Sequence, residues 1–177
     1  MPASASPEEL VQQIAQLRRY ARALTGDRWA ADDLVQDTLE RACERWRLWA
    51  AGSDLRAWLF TLMHNLFIDG ARRALRQSTQ QVDLEAAQAV PAAARPADDA
   101  LDLQRCLMRL PEEQREVLLL VTLQDLGYAE VAQLLDLPVG TVMSRLSRAR
   151  ARLRELMEGG GESGGVLPRK PALRRLK

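Results

Sequence analysis

The stretch Tyr128 to Met157, YAEVAQLLDLPVGTVMSRLSRARARLRELM, decides how the rest of the chain is read. A short helical pattern over Tyr128–Leu135 meets the tight turn Asp136-Leu137-Pro138, and a longer helical pattern starts at Val139. In that second helix Val142, Leu146, Ala149 and Leu153 recur at helical spacing and must face a core. Thr141, Ser144, Arg145, Arg148 and Arg152 therefore share the outer face. From Val139 to Met157 there are five arginines against Glu155 alone. Short helix, three-residue turn and long basic helix are the outline of a helix-turn-helix. Arginine can fork onto guanine in the major groove or bind phosphate, and Thr and Ser can do either more weakly. The competing reading is a solvated amphipathic helix whose arginines are merely good helix formers. Turn, preceding helix and one-sided charge together favour DNA.

Working outward, the chain has 177 residues, 47% of them hydrophobic and 28% charged, a balance that suits a globular protein rather than a disordered one. The formal net charge of +1 excludes a simple polycation but conceals local segregation. Alternating Val/Ile/Thr runs and Asn-Gly turns are nearly absent, while Leu, Ala, Arg, Glu and Gln dominate, so the chain reads as all-α. Helices are expected over about Pro7–Leu24, Trp29–Trp49 and from Ser53 or Asp54 to about Ala74. The first of these is stopped by Gly26 in a left-handed C′ position. Periodicity fails from Gln77 to Asp99, a Gln/Ala-rich acidic stretch with Pro91 and Pro96 that reads as a flexible linker. Helices resume at about Ala100 and at Pro111, with Glu112 and Glu113 in the first turn of the latter. The expected architecture is two small helical domains, 1–76 and 100–158, joined by the linker 77–99 and followed by a Gly-rich basic tail, 159–177, read as disordered.

Chemistry-bearing residues in the first domain lie on two helices. On the second, Asp33, Asp37, Glu40 and Glu44 recur at steps of 4, 3 and 4, with Gln36 among them, so one face presents them together. That face would repel DNA; it is either simply solvated or a dock for a basic protein surface. On the third helix Trp58, Thr61, Asn65 and Arg72 fall along one side, an arrangement suited to stacking on and hydrogen-bonding unpaired bases. Trp in a helical domain is also ordinary core material, and that reading stays open. Two cysteines, Cys43 and Cys106, without a CxxC, and a lone histidine, His64, make a disulfide framework or a Cys/His zinc site improbable. The cysteines read as packing residues and His64 as a surface histidine. No nucleophile–base set or phosphate-cradling loop emerges, so neither an enzyme nor a cofactor is expected. No signal peptide and no membrane-spanning run is visible, and a cytoplasmic location is expected.

These motifs, in order, resemble one family. Asp32-Asp33-Leu34-Val35-Gln36-Asp37-Thr38-Leu39, Leu55-Arg56-Ala57-Trp58-Leu59-Phe60 and Asn65-Leu66-Phe67-Ile68-Asp69 carry the resemblance in the first domain. In the second it is carried by Leu110-Pro111-Glu112-Glu113, Tyr128-Ala129-Glu130-Val131-Ala132 and Pro138-Val139-Gly140-Thr141-Val142-Met143-Ser144-Arg145-Leu146. The chain resembles bacterial RNA polymerase sigma factors of the extracytoplasmic function (ECF) subgroup. The resemblance implies a non-enzymatic initiation subunit with core RNA polymerase and promoter DNA as partners and, as is usual in the family, an anti-sigma factor. It assigns core-polymerase docking to Asp33, Gln36, Asp37 and Glu40. It assigns capture of unpaired −10 bases to Gly52, Ser53, Asp54, Trp58, Thr61, Asn65, Arg72 and Arg73, and reading of the −35 duplex to Thr141, Ser144, Arg145, Arg148 and Arg152. Asp136 stands where the family usually has Gly, and Asp tolerates the left-handed turn conformation better than most residues. Two alternatives remain from the residues themselves: a stand-alone helix-turn-helix regulator, and an adaptor that binds an anti-sigma factor by mimicking a sigma factor.

Overall fold

The structure, a computed structural model, describes residues 7–46, 49, 54–80 and 99–159. Among them are seven α-helices and no strand: α1 Pro7–Thr25, α2 Arg28–Glu44, α3 Leu55–Gln80, α4 Asp99–Met108, α5 Glu112–Thr122, α6 Tyr128–Leu134 and α7 Val139–Gly159. The all-α class and the two helical domains, α1–α3 and α4–α7, agree with the sequence. Residues 81–98 and the tail from 160 lie outside the described residues.

Local chemistry sets most boundaries. Gly26 ends α1 with φ +74, and its N–H donates to Arg22 O at 3.0 Å. A Cβ there would stand 2.6 Å from Met108 Sδ of α4, so the position requires glycine for both backbone and space. Asp27 caps α2, its Oδ1 accepting from the Ala30 N–H at 2.7 Å. Two boundaries differ from expectation. Helix α2 stops at Glu44 rather than Trp49, because Trp46 and Trp49 leave the helical path to form an aromatic cluster with Trp58, with ring centroids 5.7 and 6.3 Å from Trp46. Helix α3 continues past Ala74 to Gln80, so residues 77–80, expected in the linker, are helical, as is Asp99 at its other end.

In the second domain α6 opens at Gly127, whose N–H donates to Glu130 Oε2 at 2.6 Å. The turn behaves as Asp at that position should: Asp136 has φ 52, and the Leu137 N–H donates to Ala132 O at 2.9 Å. Pro138 O then accepts from the Thr141 and Val142 N–H groups and starts α7.

The two domains are packed together, an arrangement that local patterning does not reveal. Helix α1 lies against α4 and α5, and α3 lies against α6. The buried side chains form one continuous cluster running from Leu17 and Phe60 to Leu120, Val131 and Ala149. At its centre Arg115, Glu116, Val117, Leu118, Leu119 and Leu120 of α5 are all buried, the signature of a helix covered on every side. Arg19 donates to Leu123 O at 3.2 Å, and Gln104 to Arg22 O and Ala23 O at 3.3 Å, tying α1 to the second domain.

Tyr20 of α1 is fully buried, edge-on to Phe60 at 5.1 Å, and its hydroxyl has no hydrogen-bond partner. Burial first, and then the Glu116 carboxylate, push the Tyr20 phenol well above its ordinary range. The unfolded chain releases this proton near pH ~10 while the folded chain keeps it, so the unfolded state binds fewer protons and stability falls as pH rises through that value. Melting between pH 8 and 11 should therefore be steeper in pH for the parent chain than for Tyr20→Phe. Parallel slopes would show that Tyr20 does not couple to folding.

Candidate functional site

Helix α2 buries Ala31, Leu34, Val35, Thr38 and Ala42, which turns the opposite face outward. Asp33, Gln36, Asp37 and Glu40 are all exposed on it, with Gln36 Nε2 donating to Glu40 Oε1 at 2.9 Å. Glu44 shares this face and lies 3.7 Å from Arg41. Asp32, next to this surface, is turned sideways instead: Arg18, Arg22 and Arg28 surround it at 3.3, 3.9 and 3.9 Å. The acidic pair Asp32-Asp33 therefore divides its labour, one carboxylate joining α1 to α2 and the other facing solvent.

Asp54 accepts from the Arg56 and Ala57 N–H groups at 2.9 and 3.3 Å and so caps α3. Gly52 and Ser53 lie outside the described residues. Trp58 is half-buried against Trp46 and the core, which bears out part of the packing reading of the aromatic residues while leaving an edge accessible. Thr61 spends its hydroxyl on Ala57 O at 2.9 Å. Asn65 is exposed, as are Arg72 and Arg73 a further two turns along; Arg73 Nε donates to Asp69 O at 3.3 Å and Arg72 lies 4.0 Å from Asp69. Asn65, Arg72 and Arg73 thus form a polar edge of α3 that Trp58 and Thr61 join only partly.

Helix α7 buries Val142, Leu146 and Ala149 and half-buries Leu153, as its periodicity requires. Ser144, Arg148 and Arg152 are exposed, and Thr141 is half-buried. Arg148 is held by Ser144, donating through Nε to its O at 3.2 Å and through a terminal nitrogen to its Oγ at 3.1 Å. Arg145 is set apart by an ion pair, 2.6 Å from Glu113 of α5. Sequence periodicity groups these five residues but does not disclose that pair.

Three features escape sequence reasoning. His64, expected on the surface, is half-buried, and its Nδ1 contacts Glu116 Oε1 across the domain boundary. Cys43, expected to pack, is exposed, and both cysteines are free. Between the domains runs a groove of about 850 Å³ with Leu103, Leu107, Leu118, Leu119 and Leu153 in its lining and Arg18, Arg19, Arg22 and Arg150 among them. Only the packed arrangement brings these residues together. The run Val117–Leu120 was the available signal, since four consecutive apolar residues wrap a helix completely and imply burial of its polar neighbours. Among the described residues, no group of three or more His, Cys, Asp or Glu is placed to hold a metal, and no helix is long and apolar enough to cross a membrane.

The Asp54 cap separates stability from any role at the loop before α3. Asp54→Ala should cost about 1 kcal/mol in urea melts, and Asp54→Asn much less, since Asn can also accept from the N–H groups. Equal losses for the two variants would show that the cap is not what Asp54 contributes.

Comparison with known proteins gives this geometry a lineage. Residues 10–64 match the family described as the Sigma2 domain of PhyR, and residues 100–153 match Sigma-70, region 4. The ECF RNA polymerase sigma factor EcfG of Rhodopseudomonas palustris (strain TIE-1) is 34% identical over 154 residues, covering 85% of this chain and 83% of that protein. The sigma factor RpoE of Bartonella quintana, solved in complex with the anti-sigma factor NepR, superposes with a TM-score of 0.72 at 35% identity, covering 85% of this chain and 95% of that one. The PhyRSL–NepR complex from Sphingomonas sp. Fr1 shares the fold, with a TM-score of 0.62 at 21% identity over 95% and 96% of the two chains. Sigma factors are initiation factors rather than enzymes, and region 4 is their DNA-binding domain. This chain belongs to the ECF RNA polymerase sigma factors.

Proposed function

We propose that the chain docks on core RNA polymerase through the acidic face of α2, captures unpaired −10 bases along α3, and reads −35 duplex DNA with α7. The observation that carries this reading is the segregation of charge onto separate helices. Asp33, Asp37 and Glu40 stand exposed on α2, and Arg148 and Arg152 stand exposed on α7. An acidic face cannot approach phosphates, so it fits a basic protein surface, where charge aids encounter and register. An arginine-bearing helix after a tight turn fits a major groove. A lone regulator has use for the second face but not the first. Both partners operate in the cytoplasm, and we place the protein there.

The match to the Sigma2 domain of PhyR favours a second reading, a sigma mimic that binds an anti-sigma factor. The exposed arginines of α7 count against it, because a mimic has no duplex to read. The 34% identity to a named sigma factor also exceeds the 21% to the PhyRSL chain. We do propose an anti-sigma partner for this chain, as RpoE has in NepR. The arginine-lined apolar groove suits an amphipathic acidic helix, whose apolar side would meet the leucines and whose carboxylates would meet Arg18, Arg19, Arg22 and Arg150.

Reversing Asp33 and Asp37 to Lys should abolish capture by core polymerase and promoter-dependent transcription. Helix content and melting should barely move, since exposed substitutions cost about 0.5 kcal/mol or less. Full assembly by the reversed protein in a core-polymerase pull-down would sink the docking surface. Within the polymerase complex, Arg145→Ala should weaken −35 recognition by about 1–3 kcal/mol and relax preference at one base pair if its fork meets guanine. A uniform loss across a mutated promoter panel, with a shallower salt dependence, would instead assign Arg145 to phosphate.

A further inference from the structure

His64 is the chain's only histidine, and it lies where α3 of the first domain meets α5 of the second. Its Nδ1 meets Glu116 Oε1 across 52 positions of sequence. The Glu116 side chain is only 5% exposed and that of His64 16%. A carboxylate at this depth needs a partner, and the one it hydrogen-bonds belongs to the other domain. Arg19 and Gln104 also bond across the domains, but to backbone carbonyls nearer the surface.

The surroundings of the pair are incompletely satisfied. The Tyr20 hydroxyl from α1 and Arg115 Nε from α5 are both buried without a hydrogen-bond partner. Buried polar groups are nearly always paired in a structure that stays closed, and each orphan here lowers the stability of the packed state relative to a separated one in which water reaches it. The His64–Glu116 contact is therefore a buried polar tie within an apolar interface that two neighbouring unpaired groups weaken.

Closure is also incompatible with the proposed work. Elements centred at −10 and −35 are separated by about 25 base pairs, or about 85 Å at ~3.4 Å per pair. A compact chain of this length has a radius of gyration of about 16 Å and is about 40 Å across. Helix α6 packs against α3, the helix that would meet the −10 strand, so the second domain must leave α3 before both elements can be read.

We infer that the His64–Glu116 pair is an autoinhibitory latch that holds the second domain against α3 in the free protein and breaks when the chain extends along a promoter. The assignment of the open state to promoter reading rests on the proposed function; the latch itself does not. Because the groove is lined from both domains, the latch also favours whatever fills the groove over polymerase.

The test uses the full chain free in solution, with a donor and an acceptor dye on Cys43 of α2 and Cys106 of α4, one cysteine in each domain. His64→Ala and Glu116→Gln should each raise the open fraction by about tenfold or more, with far-UV helix content unchanged. The double variant should open no further than either single one, because both remove the same contact. Unchanged transfer in His64→Ala, or additive effects in the double variant, would overturn the latch. Should Glu116→Gln lose helix content, His64→Ala decides alone, since the partly accessible His64 can be truncated without uncovering the core. A polymerase arm runs separately: variants that open yet show no gain in promoter-complex formation with core polymerase would uphold the latch and count against the proposed function.

Discussion

Everything in this molecule turns on the burial of α5. Six consecutive residues from Arg115 to Leu120 are covered, which is possible only if protein surrounds the helix on every side. A helix within a small four-helix domain normally keeps one face in water. Here the remaining face is closed by α1 of the other domain, so one apolar cluster serves both. Arg115 and Glu116 are consequently interior, and the Glu116 carboxylate finds its partner only by reaching across to α3. The groove, the domain contact and the orphaned Tyr20 hydroxyl all descend from that placement.

Charge is distributed with equal economy. A net charge of +1 gives the free chain little general attraction to DNA, yet α7 carries five arginines against two glutamates, Glu155 and Glu158. Opposing carboxylates are spent elsewhere, on the outward face of α2 and on Asp32, which gathers three arginines between α1 and α2. Each of those exposed pairs is weak by itself, and their convergence on a single half-buried carboxylate adds a polar link beside the apolar packing of α1 on α2.

What could be read from the sequence follows the range of the interactions involved. The helix-turn-helix was legible because periodicity, a left-handed Asp136 and an interrupting proline all act within thirty positions. The acidic face of α2 and the Asp54 cap were legible for the same reason. His64, Arg115 and Glu116 were not, because a histidine paired 52 positions away has the same local pattern as a solvated one. The end of α2 was misplaced since the three-tryptophan cluster that draws the chain away is a tertiary contact. Of the residues expected to handle the melted strand, Asn65, Arg72 and Arg73 are exposed, the two arginines beside Asp69, while Trp58 and Thr61 are partly engaged in packing and helix bonding.

The Arg145–Glu113 pair has a consequence for discrimination. A guanidinium already facing a carboxylate at 2.6 Å must give up that contact before it can meet any acceptor on DNA. A guanine edge offers two acceptors in the plane of the fork, a geometry that can repay the displaced carboxylate more fully. In the proposed reading of α7, Glu113 is an internal competitor for Arg145. On that reading every DNA contact of Arg145 is offset by the loss of Glu113, so a complete pair of acceptors is needed to displace it.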